Sequence, residues 1–272
     1  MANDFSIQLS EVLLRLNKGT IAVSGGLDSM TLSSFANRVL GPNRVRMVHA
    51  ISPAVPLAAT IRVRDFASRE GWQLTEVDAG EFRDPQYRSN PINRCFFCKS
   101  NLYGALRQIT KGVIMSGTNC DDLDDYRPGL KAAKRNSVFH PYVEAGMAKD
   151  EIRKLASILG LDTLADLPAS PCLSSRIETG IRIEQEWLSF IDEVEEWMRA
   201  SLSPTVVRCR IRNSGVTLEI DPETLKSLDT KSRGDIVNRV RDRMPKSRQM
   251  DITFASYRRG SAFVDSSLTP TA

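Results

Sequence analysis

The feature that most constrains this chain is an alternation of short apolar, β-rich runs with stretches of helical periodicity. Phe5, Leu9, Val12, Leu13 and Leu16 recur at helical spacing and predict an amphipathic helix over residues 5–17. Thr20–Val23 reads as a strand, and the helical pattern after it runs to Leu40, where Gly41-Pro42 stops it. Val45–Ile51 and Gln73–Val77 read as strands on either side of a helix over Leu57–Arg69. A helix over Lys99–Ile109 then precedes a fourth strand at Val113–Met115. Strands joined through helices run parallel, and a parallel sheet needs cover on both faces. The expected class is therefore α/β, with a doubly wound parallel sheet.

Residues 118–148 carry many polar groups and little periodicity, as functional irregular segments do. Lys149–Leu159 returns to a helix, Pro168–Gly180 reads as a loop, and Ile183–Leu202 as a long helix. Two strands follow, Val206–Ile211 and Val216–Ile220, turning at Asn213-Ser214-Gly215. Asp221 is placed to cap a helix with Pro222 at its first position, and the last strand is expected at Met250–Phe254. The expected layout is a nucleotide domain over 1–176, a connecting helix over 177–203, and a small α+β substrate and oligomerisation domain over 204–272.

No apolar run approaches the roughly 18 residues of a membrane helix. Met1–Ser6 lacks the basic and apolar regions of a signal peptide. Five cysteines, an odd number, fit a reducing cytoplasm better than a disulfide framework. With His49 and His140 the only histidines, a histidine-rich metal site is excluded. The net charge of +4 lies wholly in the last quarter, where residues 201–272 hold 13 basic and 8 acidic side chains. The balanced remainder argues against an extended nucleic-acid surface.

Ser24-Gly25-Gly26-Leu27-Asp28-Ser29 joins the first strand to its helix. A glycine pair there lets backbone amides approach an anion, and the helix N-terminus adds partial positive charge. The Walker pattern and Gly-x-Gly-x-x-Gly are both absent. The hexapeptide resembles the PP-loop of the ATP pyrophosphatases, of the adenine nucleotide α-hydrolase type. The resemblance implies that Ser24, Gly25, Gly26 and Ser29 hold pyrophosphate and that Asp28 helps place magnesium. Adenine and ribose would lie along the second strand near His49, Ala50 and Ile51. His49 itself reads as a packed strand residue.

Cys95 and Cys98 form a Cys-x-x-Cys pair directly ahead of the predicted helix, with Arg94 and Lys99 beside them as an electropositive setting. Cys172 supplies a third thiol far down the chain. Three thiolates suit a [4Fe–4S] cluster with one open iron; zinc is a lesser option, with Cys120 or His140 as fourth ligand. Cys209, within a strand pattern, reads as core.

Gly117-Thr118-Asn119-Cys120-Asp121-Asp122-Leu123-Asp124-Asp125-Tyr126-Arg127-Pro128-Gly129 is the most distinctive stretch. Together with the glycine turn, the cysteine pair and Ser170–Arg176, it resembles the LarE family of ATP-dependent sulfur transferases, which serve nickel-pincer cofactor synthesis. The tail agrees, with Arg208 and Arg210 on one strand face and Tyr257-Arg258-Arg259-Gly260-Ser261 at its close. One departure is Glu178-Thr179-Gly180, where the family commonly has Pro-Tyr-Gly.

The resemblance implies adenylation of a carboxylate of pyridinium-3,5-biscarboxylic acid mononucleotide with release of pyrophosphate. Sulfur from cluster sulfide or Cys172 then displaces AMP. ATP contacts would come from Ser24, Gly25, Gly26, Asp28, Ser29, Ala50, Gly117 and Thr118, and Lys99 would neutralise phosphate charge. Asp28 with Asp121 or Asp122 would hold magnesium, and Cys95, Cys98 and Cys172 the cluster. Ser175, Arg208 and Arg210 would take the substrate phosphate, and Glu195 is a possible polar contact or plain helix surface. A sulfide donor and a homo-oligomer are further implications. Competing readings are a PP-loop tRNA thiolase, a zinc-stabilised nucleotide-binding module and an amidating synthetase.

Overall fold

The computed structural model describes residues 4–123, 128–165, 171–246, 248–258 and 260–262. The chain divides into two compact units, Met1–Asp84 with Asn93–Ser170, and Pro85–Ile92 with Pro171–Ala272. Residues 171–176 thus go with the second unit. So does the short segment 85–92, where Asn90 donates to the carbonyl of Glu178 at 2.8 Å.

In the first unit, helix α1 (Asp4–Leu16) leads into β1 (Gly19–Ala22), α2 (Leu27–Leu40), β2 (Val45–Ala50), α3 (Leu57–Glu70) and β3 (Gln73–Val77). Next come α4 (Arg94–Ile109), β4 (Val113–Ser116), α5 (Pro128–Arg135) and α6 (Lys149–Ile158). The four strands form one all-parallel sheet in the order β3-β2-β1-β4. Successive strand residues face opposite ways, and both faces are apolar. Ile21, Met47 and Met115 pack with Met30, Val63, Phe66 and Leu155 on one face. Val48 and Ile114 pack with Tyr103, Leu106, Ala132 and Ala133 on the other. Helices therefore cover both faces, the expected doubly wound α/β arrangement.

Two local expectations change. The fourth helix begins at Arg94, directly after Asn93, so Cys95 and Cys98 lie inside it, in its first and second turns, rather than ahead of it. Asn93 stands at the N-cap position without a side-chain capping hydrogen bond. Residues 118–148 are less irregular than their composition implies: they hold the turn Cys120–Asp122, α5 and a short helix Pro141–Glu144. Both helices open on proline, which ends a helix when interior but suits its first turn. Asp124–Arg127, the residues 168–170 and Arg259 of the sequence motifs lie outside the described residues.

The second unit holds α7 (Gln185–Leu202), β5 (Val207–Arg212), β6 (Gly215–Ile220), α8 (Thr230–Arg243) and β7 (Ile252–Ser256). β5 and β6 pair antiparallel across the expected turn, and β7 joins β6 in parallel. Asp221 caps the helix Pro222–Ser227, its carboxylate accepting from the Thr224 N–H at 2.9 Å.

Crossovers from β1 lead one way to β2 and β3, whereas β4 pairs on its other side. The strand order reverses at β1 and β4, and the crevice outside such strand ends is where doubly wound sheets bind ligands. Two backbones meet there. A methyl group on Gly117 would sit 2.8 Å from the Ser29 nitrogen and 2.9 Å from the Asp28 carbonyl carbon. Neither atom can give way without moving the start of α2. Gly117→Ala should therefore cost roughly 1–3 kcal/mol, as overpacking does; an unchanged urea midpoint would contradict the contact.

Candidate active site

The glycine turn sits at the reversal, between β1 and α2. Gly25 has φ +81°, and a methyl on it would lie 2.7 Å from the Ala59 carbonyl oxygen of α3. Only glycine satisfies both demands. The Ser29 hydroxyl accepts from the Ser24 N–H at 3.0 Å and lies 3.0 Å from the Ser24 hydroxyl, so the turn is closed by its own serines. The first amides of α2 have no partner within the helix, and they carry its positive end. Backbone amides arranged in this way suit an anion.

Asp28 stands in the first turn of α2. Lys149, the first residue of α6, places its ammonium 2.6 Å from Asp28 Oδ1, with both side chains about one-third exposed or less. Tyr142, fully buried, donates its hydroxyl to the Asp28 carbonyl at 3.1 Å. Burial, and next the Asp28 charge, push that phenol well above its ordinary pKa, so it stays a donor. Asp121 and Asp122 are engaged locally: Asp121 accepts from the Lys149 N–H at 2.9 Å and Asp122 from the Asn119 N–H at 3.2 Å. A second cation flanks the turn. Arg62 donates to the Gly25 carbonyl at 2.6 Å, and burial lowers its pKa below the usual guanidinium value.

His49 is buried, as expected of a packed strand residue. Its ring nitrogens lie 2.9 Å from the Val23 carbonyl and 2.9 Å from the Thr60 hydroxyl. Ala50, beside it, ends β2. At the end of β4, Thr118 and His140 both contact the Ser116 hydroxyl, at 3.1 and 2.9 Å. Burial lowers the pKa of both histidines.

Cys95 and Cys98 lie three residues apart on α4, hence on one face, and both are partly buried. Arg94 is itself buried within the first unit. Lys99 follows on α4 with its ammonium 5.8 Å from the Tyr103 ring centre. Cys172, also partly buried, belongs to the second unit and precedes the turn Leu173–Arg176. Cys209 is fully buried, and that burial pushes its thiol well above the ordinary value, so it is core as expected. Within either unit, among the described residues, no three His, Cys, Asp or Glu side chains are grouped to hold a metal. A thiol pair one turn apart at a helix start suits two ligands of a cluster, because the helix dipole favours thiolates. Asp28 offers magnesium the hard oxygen it prefers.

Arginines dominate the second unit. Arg176 is buried and makes a two-point ion pair with Glu195, each bond 2.9 Å. Burial opposes its charge, but Glu195 more than offsets this and raises its pKa. Glu195 is therefore not helix surface. It also accepts from the Cys209 N–H at 3.0 Å and from Arg199 at 2.8 Å. Arg210 donates to Glu219 at 3.0 Å and to the Ser175 carbonyl at 2.9 Å. Arg208 is buried beside it. Desolvation first, then the charge of Arg176, lowers its pKa to about 10. Ser175, Arg208 and Arg210 are thus brought together, in a strongly positive setting. Glu178-Thr179-Gly180 is tied in locally: Glu178 accepts from Asn213 at 2.8 Å, and the Thr179 N–H reaches the Ala262 carbonyl at 3.1 Å.

Sequence reasoning missed Lys149, Arg62, Arg176 and the role of Glu195. Two left a signal. A lysine at a helix start opposes the helix dipole. Glu195 falls on the apolar stripe of Leu188, Ile191 and Met198.

A parallel four-strand sheet covered by helices on both faces, with a glycine turn opening a helix at its strand-order reversal, defines a doubly wound α/β protein. No family model matches the chain. It is 35% identical over 227 residues to the uncharacterized protein slr1717 of Synechocystis sp., covering 82% of this chain and 84% of that one, and it belongs to that protein's family. It is 28% identical over 216 residues to the pyridinium-3,5-bisthiocarboxylic acid mononucleotide synthase of Lactiplantibacillus plantarum, covering 78% of each. The uncharacterized protein MJ0830 of Methanocaldococcus jannaschii is 25% identical over 226 residues. No helix of the described residues is long and apolar enough to cross a membrane.

Two outcomes follow from this geometry. Glu195→Gln leaves Arg176 buried without its counter-charge, and should cost roughly 3–5 kcal/mol in urea unfolding; a loss under about 1 kcal/mol would show that the pair carries little. The second concerns pH. His49 and His140 titrate near 6.5 when unfolded and lower when folded. The unfolded chain therefore takes up protons first as pH falls. The stability they support is present above pH 6.5 and is lost as pH drops below it toward the folded values. Stability measured from pH 7.5 to 5.5 should fall, and less steeply in His49→Gln.

Proposed function

We propose that this protein is an ATP-dependent sulfur transferase acting on a carboxylate of pyridinium-3,5-biscarboxylic acid mononucleotide. The observation that carries the reading is the glycine turn at the strand-order reversal, with Asp28 in the first turn of the helix it opens. The similarity to a synthase of the corresponding bisthiocarboxylic acid mononucleotide supports the choice of substrate.

A carboxylate resists substitution because oxide is a poor leaving group. Attack of a carboxylate oxygen on the α-phosphorus of ATP forms an acyl adenylate and expels pyrophosphate. The amides of the turn, with Ser24, Gly25, Gly26 and Ser29, would hold that pyrophosphate, with Ala50, Gly117 and Thr118 along the nucleotide. Lys99 would offset phosphate charge, and Asp28 would carry magnesium, with Asp121 or Asp122 near it. Magnesium, when bound, supplies Lewis-acid stabilisation of the phosphates. Sulfide attacking the acyl carbon expels AMP and leaves a thiocarboxylate. A cysteine thiolate doing so leaves a thioester, from which loss of the cysteine α-proton and cleavage of its Cβ–S bond frees the thiocarboxylate and leaves dehydroalanine. Cys172 is the protein's own candidate nucleophile. Cys95, Cys98 and Cys172 would hold an iron–sulfur cluster, which when bound supplies exchangeable sulfide. Ser175, Arg208 and Arg210 would receive the substrate's phosphate, for which buried arginines give charge-assisted, fork-like hydrogen bonds.

The test is an anaerobic assay with ATP, magnesium and the mononucleotide, read by mass spectrometry. The expected result is ATP-dependent replacement of a carboxylate oxygen by sulfur, with stoichiometric pyrophosphate. Asp28→Asn should lose pyrophosphate release by at least a hundredfold while remaining folded. Neither product from the unaltered protein would overturn the reading; steeply salt-dependent tRNA binding would favour a thiolase instead.

A further inference from the structure

Lys149 occupies an electrostatically costly position. It is the first residue of α6, where the helix dipole disfavours a cation and favours Asp150 and Glu151, which follow it. Its backbone N–H is held by Asp121, and its ammonium reaches across to Asp28 at 2.6 Å. The parts around Asp28 are fixed by backbone and buried groups. Tyr142 holds its carbonyl, Gly117 presses on its carbonyl carbon, and Asn119, 2% exposed, lies 3.5 Å from Oδ1. The ammonium alone rides on a flexible four-carbon stem.

We infer that Lys149 is a built-in counter-cation: it sits on Asp28 in the nucleotide-free chain and yields that carboxylate to a divalent ion arriving with the nucleotide. This rests on the proposed ATP chemistry. Magnesium takes carboxylate oxygen at about 2.0–2.1 Å, and at Asp28 it meets an ammonium already within hydrogen-bond reach of both oxygens, so the two cations repel each other across one carboxylate. The free ion must therefore compete with a tethered cation, whereas a metal–nucleotide complex brings phosphates that can receive the displaced ammonium. Binding is coupled: metal and nucleotide enter together, and Asp28 is never left as an isolated, partly buried charge. Lys149 is a positioning residue that then faces phosphate.

The experiment measures Mn²⁺ binding without nucleotide by electron paramagnetic resonance. Lys149→Met should bind Mn²⁺ at least tenfold more tightly than the unaltered protein, and Lys149→Arg, which keeps the cation, no more tightly than it. Adding Asp28→Asn to Lys149→Met should abolish the gain, assigning the ion to Asp28. The Met variant removes a cation from a helix start, so its melting temperature should be unchanged or higher. Equal Mn²⁺ affinity in the unaltered and Lys149→Met proteins would overturn the counter-cation. Calorimetry with magnesium and ATP on the unaltered protein separates the two readings. Absence of nucleotide binding there overturns the ATP chemistry, whatever the Mn²⁺ result.

Discussion

The contact on which the candidate site depends is made by backbone alone. Gly117 leaves the end of β4 and meets Asp28 and Ser29 at a distance no side chain tolerates. Gly25 is pressed equally closely by α3. Together they clamp the start of α2 from two directions, which sets where its unpartnered amides point. An anion cradle made of amides carries no side-chain entropy, and its geometry is as exact as the backbone that holds it. Asp28 inherits that placement, and so does the ammonium of Lys149 that rests on it.

The two units treat charge differently. In the first, the Asp28–Lys149 pair is partly exposed, and its cation sits on a mobile stem. Such a pair contributes little to stability and can exchange partners. In the second, Arg176–Glu195 and Arg210–Glu219 have side chains at most 5% exposed. Desolvation of buried pairs offsets most of their attraction, so stability alone is a weak reason for them. Their effect is positional. They lock arginines into a fixed layer beside Arg208, whose pKa of about 10 registers burial and like charge and still leaves it cationic at neutral pH. An anion brought to Arg208 would relieve that repulsion.

Much of this was legible in the residues. The alternation of strand and helix patterns gave the sheet, because each segment's period agreed with its burial. The glycine pair marked the turn at the strand-order reversal, where Gly25 takes a positive φ under the Ala59 carbonyl. What escaped was whatever depended on distant partners. Lys149 becomes meaningful only when the fold closes a sequence separation of 121 and brings it to Asp28. Arg62 looks like any exposed helix arginine until its guanidinium is seen on the Gly25 carbonyl. Glu195 could have been found, because a carboxylate on an apolar stripe must have a buried counter-charge somewhere. The start of α4 at Arg94 lies five residues before the expected Lys99, more than the one or two by which helix ends ordinarily shift.

The same physics sorts the five thiols. Reactivity and metal binding belong to the thiolate, so a thiol must be accessible and its anion must be stabilised. Cys209 fails on both counts: it is sealed within β5, and burial raises its pKa. Cys120 is partly buried and opens a short turn whose N–H is tied to the Met147 carbonyl. Cys95 and Cys98 differ from both, standing second and fifth in a sixteen-residue helix, with Cys95 in the first turn, where the dipole favours an anion. Cys172 has Arg176 hydrogen-bonded to its own carbonyl at 3.1 Å, so a permanent cation stands one turn away. Cys95 and Cys98 thus stand at a helix start, and Cys172 beside a guanidinium that is itself paired with Glu195. The proposed sulfur chemistry would therefore draw on these three thiols, because Cys209 is sealed in the core and Cys120 sits in a tied turn.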